Sequence, residues 1–446
     1  MPDSDPDPDP DHASAGLAYR LRTDRKWQLG TVAAALVLVV GVATVVAAMR
    51  PSEPAGISDG PLAAAPAAAD TVPAGRIVKK PPANCGVAKA TAARLAPGSD
   101  PDAEKGGLFR EGGPGSCMWY SLDDGKAKCD FCTGDFRNER VLNVDIVLAE
   151  SRLQSPISEA LRQMDETPPY VRTSAAEQIV EGLGEEATAR YSADTETEGA
   201  IVRFRVGNAV ATVRYRGWDS VRGERRTIPE KAALDGAFAA AAETAKSMGT
   251  AARPVLSRVK HPVTPPVRNV PKPCDAVPAA TVEKVARGAY RERGTASLFP
   301  AVTWPGASAD ACTWKARTSQ YYNEGRSRTL TVAIIVDEDR LPGLGAFTAG
   351  RRYLGVYENL RAGRTLGTDR FTGFKPLSGP GDRAFAVIRG ARTSSSGDEG
   401  FVVFQKRNLL VEVSYQGADE ETKLSGSRLI DSAYTVAVAV ERSLRT

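Results

Sequence analysis

Histidine is almost absent from this chain of 446 residues, whose only two histidines are His12 and His261. Both lie in segments whose composition predicts disorder. Because histidine is the usual general base at neutral pH and the commonest metal ligand, its absence from the predicted folded segments argues against serine, cysteine and zinc hydrolases. The G-x-S-x-G, H-E-x-x-H and Walker motifs are also missing. We therefore predict a protein that is not an enzyme, with no catalytic residues, no cofactor and no metal site.

A clustered positive charge is missing as well. The formal net charge is +4 at pH 7, and it is dilute over the length of the chain. Binding to nucleic acid needs a basic patch or stripe on one face of a protein. The charge therefore predicts no nucleic-acid partner, while a mild attraction to anionic envelope polymers is compatible with it.

Only one long apolar run is present, from Leu29 to Met49, and it contains no charged residue. At about 1.5 Å per residue a helix over this run matches the roughly 30 Å hydrocarbon core of a bilayer, which predicts a transmembrane helix. Four basic residues precede the run, namely Arg20, Arg22, Arg25 and Lys26. The positive-inside rule then predicts a cytoplasmic N terminus and places the rest outside the plasma membrane. The alternative is a signal peptide that is cleaved near Val46-Ala47-Ala48.

Composition divides the chain into six segments. We predict a disordered cytoplasmic tail over 1–28, a single-pass transmembrane helix over 29–49, an Ala/Pro-rich stalk over 50–83, an extracytoplasmic domain over 84–248, a Pro-rich linker over 249–272 and a second extracytoplasmic domain over 273–446. The bulk of the protein is therefore expected outside the cytoplasm.

The two predicted domains repeat each other in sequence. Cys117-Met118-Trp119 corresponds to Cys312-Thr313-Trp314, and residues 202–217 match 402–417 at a constant offset of 200. In both copies, alternating apolar residues predict half-buried strands, and helical patterns lie before, between and after them. We predict an α+β fold: two tandem antiparallel-sheet domains with packed helices, after one N-terminal transmembrane helix.

All six cysteines follow the predicted anchor, in a compartment where disulfides persist. The second copy contains only Cys274 and Cys312, so these two are predicted to pair. The repeat then predicts a bond between Cys85 and Cys117, which leaves Cys129 with Cys132. We interpret Cys129 and Cys132 as a structural disulfide at a hairpin tip, and a redox dithiol or half of a zinc site are the alternatives.

Four arginines lie on one side of two neighbouring predicted strands of the first copy: Arg203, Arg205, Arg214 and Arg216. The second copy has Val403, Gln405, Ser414 and Gln416 at these places. The row is interpreted as a solvated sheet face, and the alternative is a surface that binds an anionic partner. Tyr215 and Tyr415 end matching strands, where we expect a core-edge residue whose hydroxyl reaches solvent, or a contact to a ligand.

A set of short motifs recurs in both copies: Cys85, Cys117, Trp119, Gly182, Gly184, Glu185 and Tyr215 in the first, and Cys274, Cys312, Trp314, Gly379, Gly381, Asp382 and Tyr415 in the second. This pattern resembles the actinobacterial envelope family called domain of unknown function 3558. The resemblance implies an extracytoplasmic location and an element order similar to PsbP-like α/β sandwiches. It implies no activity and no catalytic residues. This chain departs from the pattern by its membrane helix, its second copy and its extra cysteine pair.

The sequence favours a membrane-anchored, non-enzymatic binding or sensing protein of the bacterial cell envelope. The expected partners are the lipid bilayer, through one helix, and an envelope ligand or membrane protein of unknown identity. We expect a ligand on the sheet face or in the groove between the domains. The alternatives are a scaffold that docks a membrane protein complex and a thiol-disulfide redox protein that uses Cys129 and Cys132.

Overall fold

Two antiparallel sheets with helices packed on both faces make up the described part of the computed structural model. The structure describes residues 62–73, 75–99, 115–123, 138–150, 155–165, 177–193, 199–221, 224–256, 265–297, 308–317, 325–337, 344–363, 365–366, 369–391, 397–419 and 422–444. The predicted tail over 1–28, the predicted transmembrane helix over 29–49, and Cys129 and Cys132 lie outside these residues. Within the described ranges, no helix is long and apolar enough to cross a membrane.

Domain 1 begins with a 3₁₀ turn, Ala83–Gly86, and ends with a strand, Ala252–Leu256. Its helices are α1 (Lys89–Leu95), α2 (Pro156–Asp165) and α3 (Glu230–Ser247). Its strands are β1 (Ser116–Asp123), β2 (Asn138–Leu148), β3 (Gln178–Leu183), β4 (Glu186–Ser192), β5 (Gly199–Val206), β6 (Ala209–Val221), β7 (Glu224–Thr227) and β8 (Ala252–Leu256). They form a sheet in the order β1-β2-β6-β5-β4-β3-β8, with β7 on β6.

Domain 2 repeats this plan from Pro273 onwards. Its helices are α4 (Pro273–Ala276), α5 (Ala279–Val285), α6 (Leu344–Arg361) and α7 (Gly426–Ser443). Its strands are β9 (Tyr290–Ser297), β10 (Ser308–Arg317), β11 (Arg326–Val336), β12 (Thr365–Leu366), β13 (Asp369–Leu377), β14 (Arg383–Ala391), β15 (Glu399–Lys406), β16 (Leu409–Asp419) and β17 (Thr422–Lys423). The order is β12-β13-β14-β15-β16-β11-β10-β9, with β17 on β16. The predicted α+β class with two tandem antiparallel sheets is confirmed.

The alternating residues of β2 show why this segment is a strand. Leu142, Val144 and Ile146 are at most 4% exposed and point into one core, whereas Asn143 and Asp145 between them point to the other face. Side chains of a strand alternate between the two faces of a sheet, so an alternating pattern suits a sheet with one apolar side. The same pattern appears in β11, where Leu330, Val332 and Ile334 are buried.

We call the face of each sheet that is directed at the other domain its inner face and the opposite one its outer face. Each sheet carries one long helix on its outer face and one helix on its inner face. In domain 1, α3 covers the outer core and α2 lies on the inner face. In domain 2, α7 covers the outer core and α6 lies on the inner face. The two inner helices, α2 and α6, pack against each other. Residues 59–446 accordingly form one compact unit that contains both sheets.

One disulfide in each domain joins the start of that domain to its sheet. Cys85 in the 3₁₀ turn is bonded to Cys117 in β1, and Cys274 in α4 is bonded to Cys312 in β10. Both predicted pairings are confirmed. Each bond restricts the unfolded chain, and the loss of loop entropy stabilises the fold by roughly 4 kcal/mol.

A buried asparagine repeats in the turn between the last two long strands of each domain. Asn208 accepts a hydrogen bond from Val78 N at 2.6 Å, and Asn408 accepts one from Val267 N at 2.8 Å. Each asparagine therefore holds the extended segment that leads into its own domain. Because both segments are Pro-rich and lack periodicity, these contacts could not be predicted from the sequence.

The described part of the predicted stalk is not a free spacer. Residues 62–73, which we name the strap, lie along domain 2. Ala68 N donates to Pro376 O at 3.0 Å and Ser378 N to Pro66 O at 3.2 Å. Leu62 packs against the outer core. The prediction of a stalk over 50–83 is wrong for these residues, because short Ala and Pro side chains still leave backbone groups that can bond to a strand edge.

The predicted linker over 249–272 also contains structure. Ala252–Leu256 forms β8, which pairs with β3 at the edge of the first sheet. The segment from 265 onwards belongs to the entry of domain 2, through Val267 and its bond to Asn408. The linker prediction is wrong for these residues for the same reason as the stalk prediction: a Pro-rich composition does not indicate a short edge strand.

Candidate functional site

A buried group of charges joins the two domains between α2 and α6. Glu186 of β4 accepts a hydrogen bond from Arg205 Nε on one carboxylate oxygen and from Arg351 Nε on the other, both at 2.8 Å. The three side chains are 6% to 8% exposed. Because Arg205 belongs to domain 1 and Arg351 to domain 2, one carboxylate forms an ion pair with a buried cation from each domain.

A second part of this group surrounds the C-terminal end of α2. Arg352 lies 3.2 Å from Asp337 and 3.6 Å from Asp165, and Arg351 lies 3.5 Å from Asp165. Burial raises the pKa of Asp337 to about 6, while the charge of Arg352 lowers it and the charge of Asp165 raises it. Asp165 of domain 1 therefore forms ion pairs with two arginines of domain 2, and Asp337 beside them is the group whose raised pKa makes this region sensitive to pH.

Beside these charges lies a cavity of about 840 Å³. The strap, the inner helices α2 and α6, and the turn from 376 to 384 form its walls. Most of its lining is apolar, including Val72, Ile157, Leu161, Tyr353 and Leu354. Its volume lies within the range of small-molecule sites, about 300 to 1,000 Å³, which also combine apolar walls with a few polar groups.

An aromatic cluster makes the domain 2 wall of this cavity rigid. Tyr357 meets Phe374 and Phe385 edge to face at centroid distances of 4.9 and 5.6 Å, and Tyr353 lies 5.6 Å from Phe385. The Tyr357 hydroxyl donates to Asp70 of the strap at 2.6 Å. Burial, reinforced by this bond, raises the pKa of Tyr357. The strap is thus fixed to the aromatic wall by a hydrogen bond from a neutral hydroxyl.

Five charged residues line the cavity: Glu185, Arg205, Glu358, Asp382 and Arg383. Glu185 pairs with Arg205 at 2.5 Å, and Glu358 pairs with Arg361 at 2.5 Å. Asp382 accepts from Arg407 N at 2.6 Å. Arg383 bonds only to a neutral partner, Gln405 Oε1, at 2.6 Å, among the residues that the structure describes. Arg383 is therefore the one cavity cation in this part of the chain without a carboxylate at ion-pair distance.

The predicted arginine row is divided between different surroundings. Arg203 and Arg214 line a smaller cavity of about 120 Å³, together with Arg190, Arg351, Asp165 and Glu177. Arg203 also donates to the carbonyl groups of Gln163 and Met164 at the end of α2. Arg205 lines the larger cavity and is 5% exposed, whereas Arg216 is exposed. A solvated face is the wrong description for Arg205, because α2 and α6 cover that end of the sheet.

The two predicted tyrosines lie in the outer cores and not on a ligand surface. Tyr215 is 7% exposed and Tyr415 is 1% exposed. Their hydroxyls donate to Leu95 O at 2.9 Å and Val285 O at 2.5 Å. The prediction that these hydroxyls reach solvent is wrong. Strand alternation explains the result, since Tyr215 lies between Arg214 and Arg216 and must point to the opposite face.

The glycine-rich turns that carry the family resemblance are structural. Gly184 and Gly381 have φ angles of +63° and +68°, and a Cβ at either position would lie 2.3 Å from the carbonyl oxygen of Arg205 or Gln405. Only glycine allows both the positive φ and this close approach. The turns therefore bring β4 and β14 against the adjacent hairpins and form one wall of the cavity.

Sequence reasoning did not find Arg383, Tyr353, Tyr357 or the strap. One signal was present: Arg383 occupies the position of Glu186 in the repeat, and Gln405 occupies that of Arg205. The acid and base of domain 1 are thus replaced by a base and an amide in domain 2. This loss of a carboxylate could have marked Arg383 as an uncompensated charge.

Comparison of the chain with models of known protein families and with curated proteins gives no match. The resemblance to the envelope family stays a prediction. Within the described ranges, no three His, Cys, Asp or Glu side chains are grouped in the manner of metal ligands. The cavity combines an apolar and aromatic wall with one cation, Arg383, that has no carboxylate at ion-pair distance among the described residues.

Proposed function

We propose that this protein is a membrane-anchored, non-enzymatic binding or sensing protein of the bacterial cell envelope. Its ligand is a small molecule that occupies the cavity between the two domains. The observation that carries the proposal is the cavity itself, about 840 Å³ in volume and built by the strap and both inner helices. A site formed by two domains can couple ligand binding to their relative position.

The location outside the cytoplasm has independent support. Disulfides persist mainly in oxidising compartments, and Cys85–Cys117 and Cys274–Cys312 are both bonded. The apolar run from Leu29 to Met49 supplies the anchor in this proposal. Protease treatment of intact cells should degrade both domains. If the domains survive this treatment and are degraded only after lysis, the proposed topology is contradicted.

The cavity can be filled by one substitution. Leu354 lines it and is half-buried, so Leu354→Trp is expected to occupy part of the ligand space. The full chain, purified in detergent and incubated with an envelope extract, should carry a small molecule that native mass spectrometry detects. Val147→Trp is the matched control, because Val147 is 51% exposed and does not line the cavity.

We expect the bound mass in the wild-type protein and in Val147→Trp, and its loss in Leu354→Trp. A bound mass that is equal in all three proteins would contradict the assignment of this cavity. So would the lack of any bound mass in the wild-type protein.

A further inference from the structure

The surroundings of Arg383 indicate what the cavity binds. The side chain leaves the start of β14 beside Gly350 of α6. Its Nε donates to Gln405 at 2.6 Å, and its guanidinium carbon lies 5.0 Å above the ring of Tyr353. A stacked guanidinium with a fixed Nε has a defined plane. Of the five N–H donors that an arginine carries, four have no acceptor among the described residues.

The other arginines near the cavity do not share this property. Arg205 and Arg351 are paired with Glu186, and Arg361 is paired with Asp70 and Glu358. Arg383 differs from these three arginines because it has no paired carboxylate. We therefore infer that Arg383 has a role other than joining the domains. Burial lowers the pKa of Arg383, which is the expected effect of a cation held away from water without a paired acid.

The acids of the cavity are bonded to partners other than Arg383. Glu185 is occupied by Arg205 and by Gly207 N, and Glu358 by Arg361. Asp382 receives Arg407 N and lies 3.9 Å from Lys406. Asp382 acts on Arg383 through its charge, which raises the pKa of the guanidinium against the effect of burial. The free donors of Arg383 therefore face the cavity with no carboxylate of the described lining at ion-pair distance.

The rest of the cavity is shaped for an apolar group. Val72, Ile157, Leu161 and Leu354 line it beside the ring of Tyr353. An inorganic anion would fill only a small part of about 840 Å³ and would leave these apolar walls against water. A ligand with an anionic end and an apolar body satisfies both the cation and the walls.

We propose that the ligand of this cavity is an amphipathic anion, whose carboxylate, sulfonate or phosphate group binds Arg383 and whose apolar body packs on Tyr353 and the inner helices. This inference rests on the proposed function and specifies its ligand class. A planar guanidinium matches such oxygen groups with two parallel hydrogen bonds.

The test compares two probes of the same shape, 4-phenylbutyrate and the uncharged 4-phenylbutanamide, with inorganic phosphate as a third. Binding to the full chain in detergent is measured by isothermal titration calorimetry, with empty micelles as the blank. We expect 4-phenylbutyrate to bind at least about tenfold more tightly than the amide, which corresponds to about 1.4 kcal/mol. Inorganic phosphate should bind more weakly than 4-phenylbutyrate.

Arg383→Gln should weaken binding of 4-phenylbutyrate at least about tenfold and leave binding of the amide unchanged, which also shows that the variant is folded. Arg370→Gln is the matched control, since Arg370 is exposed on the neighbouring strand β13 and does not line the cavity. Arg383→Lys keeps the charge and should retain part of the preference. If Arg383→Gln does not fold, the preference of the wild-type protein for the acid over the amide still decides the matter.

Two results would overturn the inference and leave the proposed function standing. One is equal binding of the acid and the amide, and the other is phosphate binding as tight as that of 4-phenylbutyrate. If 4-phenylbutyrate binds but Leu354→Trp does not weaken it, the probe is bound elsewhere and the inference fails, whereas the cavity assignment itself fails only if Leu354→Trp keeps the mass bound from the envelope extract. Failure of all three probes to bind, together with an envelope molecule bound in the wild-type protein, would overturn only the amphipathic-anion assignment.

Discussion

The inner faces of the two sheets are built from different chemistry although the domains share one fold. In domain 1 the inner face carries Arg203, Arg205 and Arg214 and only a small apolar cluster. In domain 2 the corresponding face carries Phe385, and Tyr353 and Tyr357 of α6 pack with it in a large apolar core. The outer faces, in contrast, bury similar cores beneath α3 and α7. The difference shows that the two copies have diverged where they meet, which is where the cavity lies.

The largest expected effect concerns the buried ion pairs on the inner face of domain 1. Glu186→Gln should leave Arg205 and Arg351 buried without their shared carboxylate, at a cost of about 3 to 5 kcal/mol in the free energy of unfolding. Urea unfolding of the full chain measures this. Glu224→Gln is the control, because Glu224 is 76% exposed in its pair with Arg226 and should change stability by less than about 1 kcal/mol. Equal effects of the two substitutions would remove the distinction between the inner face and the surface.

The next effect depends on pH. The pKa of Asp337 is about 6 in the folded protein and about 3.9 in the unfolded chain. Because the folded state binds the proton more tightly, this group's contribution is most favourable below about pH 4 and is lost as the pH rises through about 6. The stability of the wild-type protein relative to Asp337→Asn should therefore fall by up to about 3 kcal/mol between pH 4 and pH 7. Urea unfolding of both proteins across this range tests the sign, and a rise in this difference would contradict it.

The smallest effect concerns the outer faces, where the two domains should behave alike. Tyr215→Phe and Tyr415→Phe each leave a buried carbonyl, Leu95 O or Val285 O, without its donor. Each should cost about 1 to 3 kcal/mol of unfolding free energy. Tyr120→Phe is the control, since Tyr120 is 45% exposed, and it should have little effect. A large effect in one domain only would show that the outer faces have diverged as well.

The sequence predicted the features that repeat, and it showed the arginine row as a difference between the copies without showing what covers that row. Alternation in β2 and β11 and the matched cysteines predicted the two sheets and both described disulfides. The same alternation, applied to Tyr215 between Arg214 and Arg216, would have placed its hydroxyl in the core. Periodicity states which residues share a face, but not what covers that face, so the burial of Arg205 by α6 could not be predicted.

The strap was missed for a different physical reason. Residues 62–73 are joined to domain 2 chiefly through backbone groups, as in the bond from Ala68 N to Pro376 O. Backbone hydrogen bonds to a strand edge require no particular side chain, so they leave no pattern in the sequence. The cavity depends on the strap for one wall and was therefore outside the reach of sequence reasoning, although a ligand between the domains was expected.

A crystal structure of the full chain with bound 4-phenylbutyrate tests the central claim most directly. We predict density for the ligand in the cavity between the strap and α6, with its carboxylate at hydrogen-bond distance from Arg383 and its ring against Tyr353. An empty cavity in a crystal whose ligand is bound elsewhere would contradict the account, as would a ligand in the cavity whose carboxylate points away from Arg383.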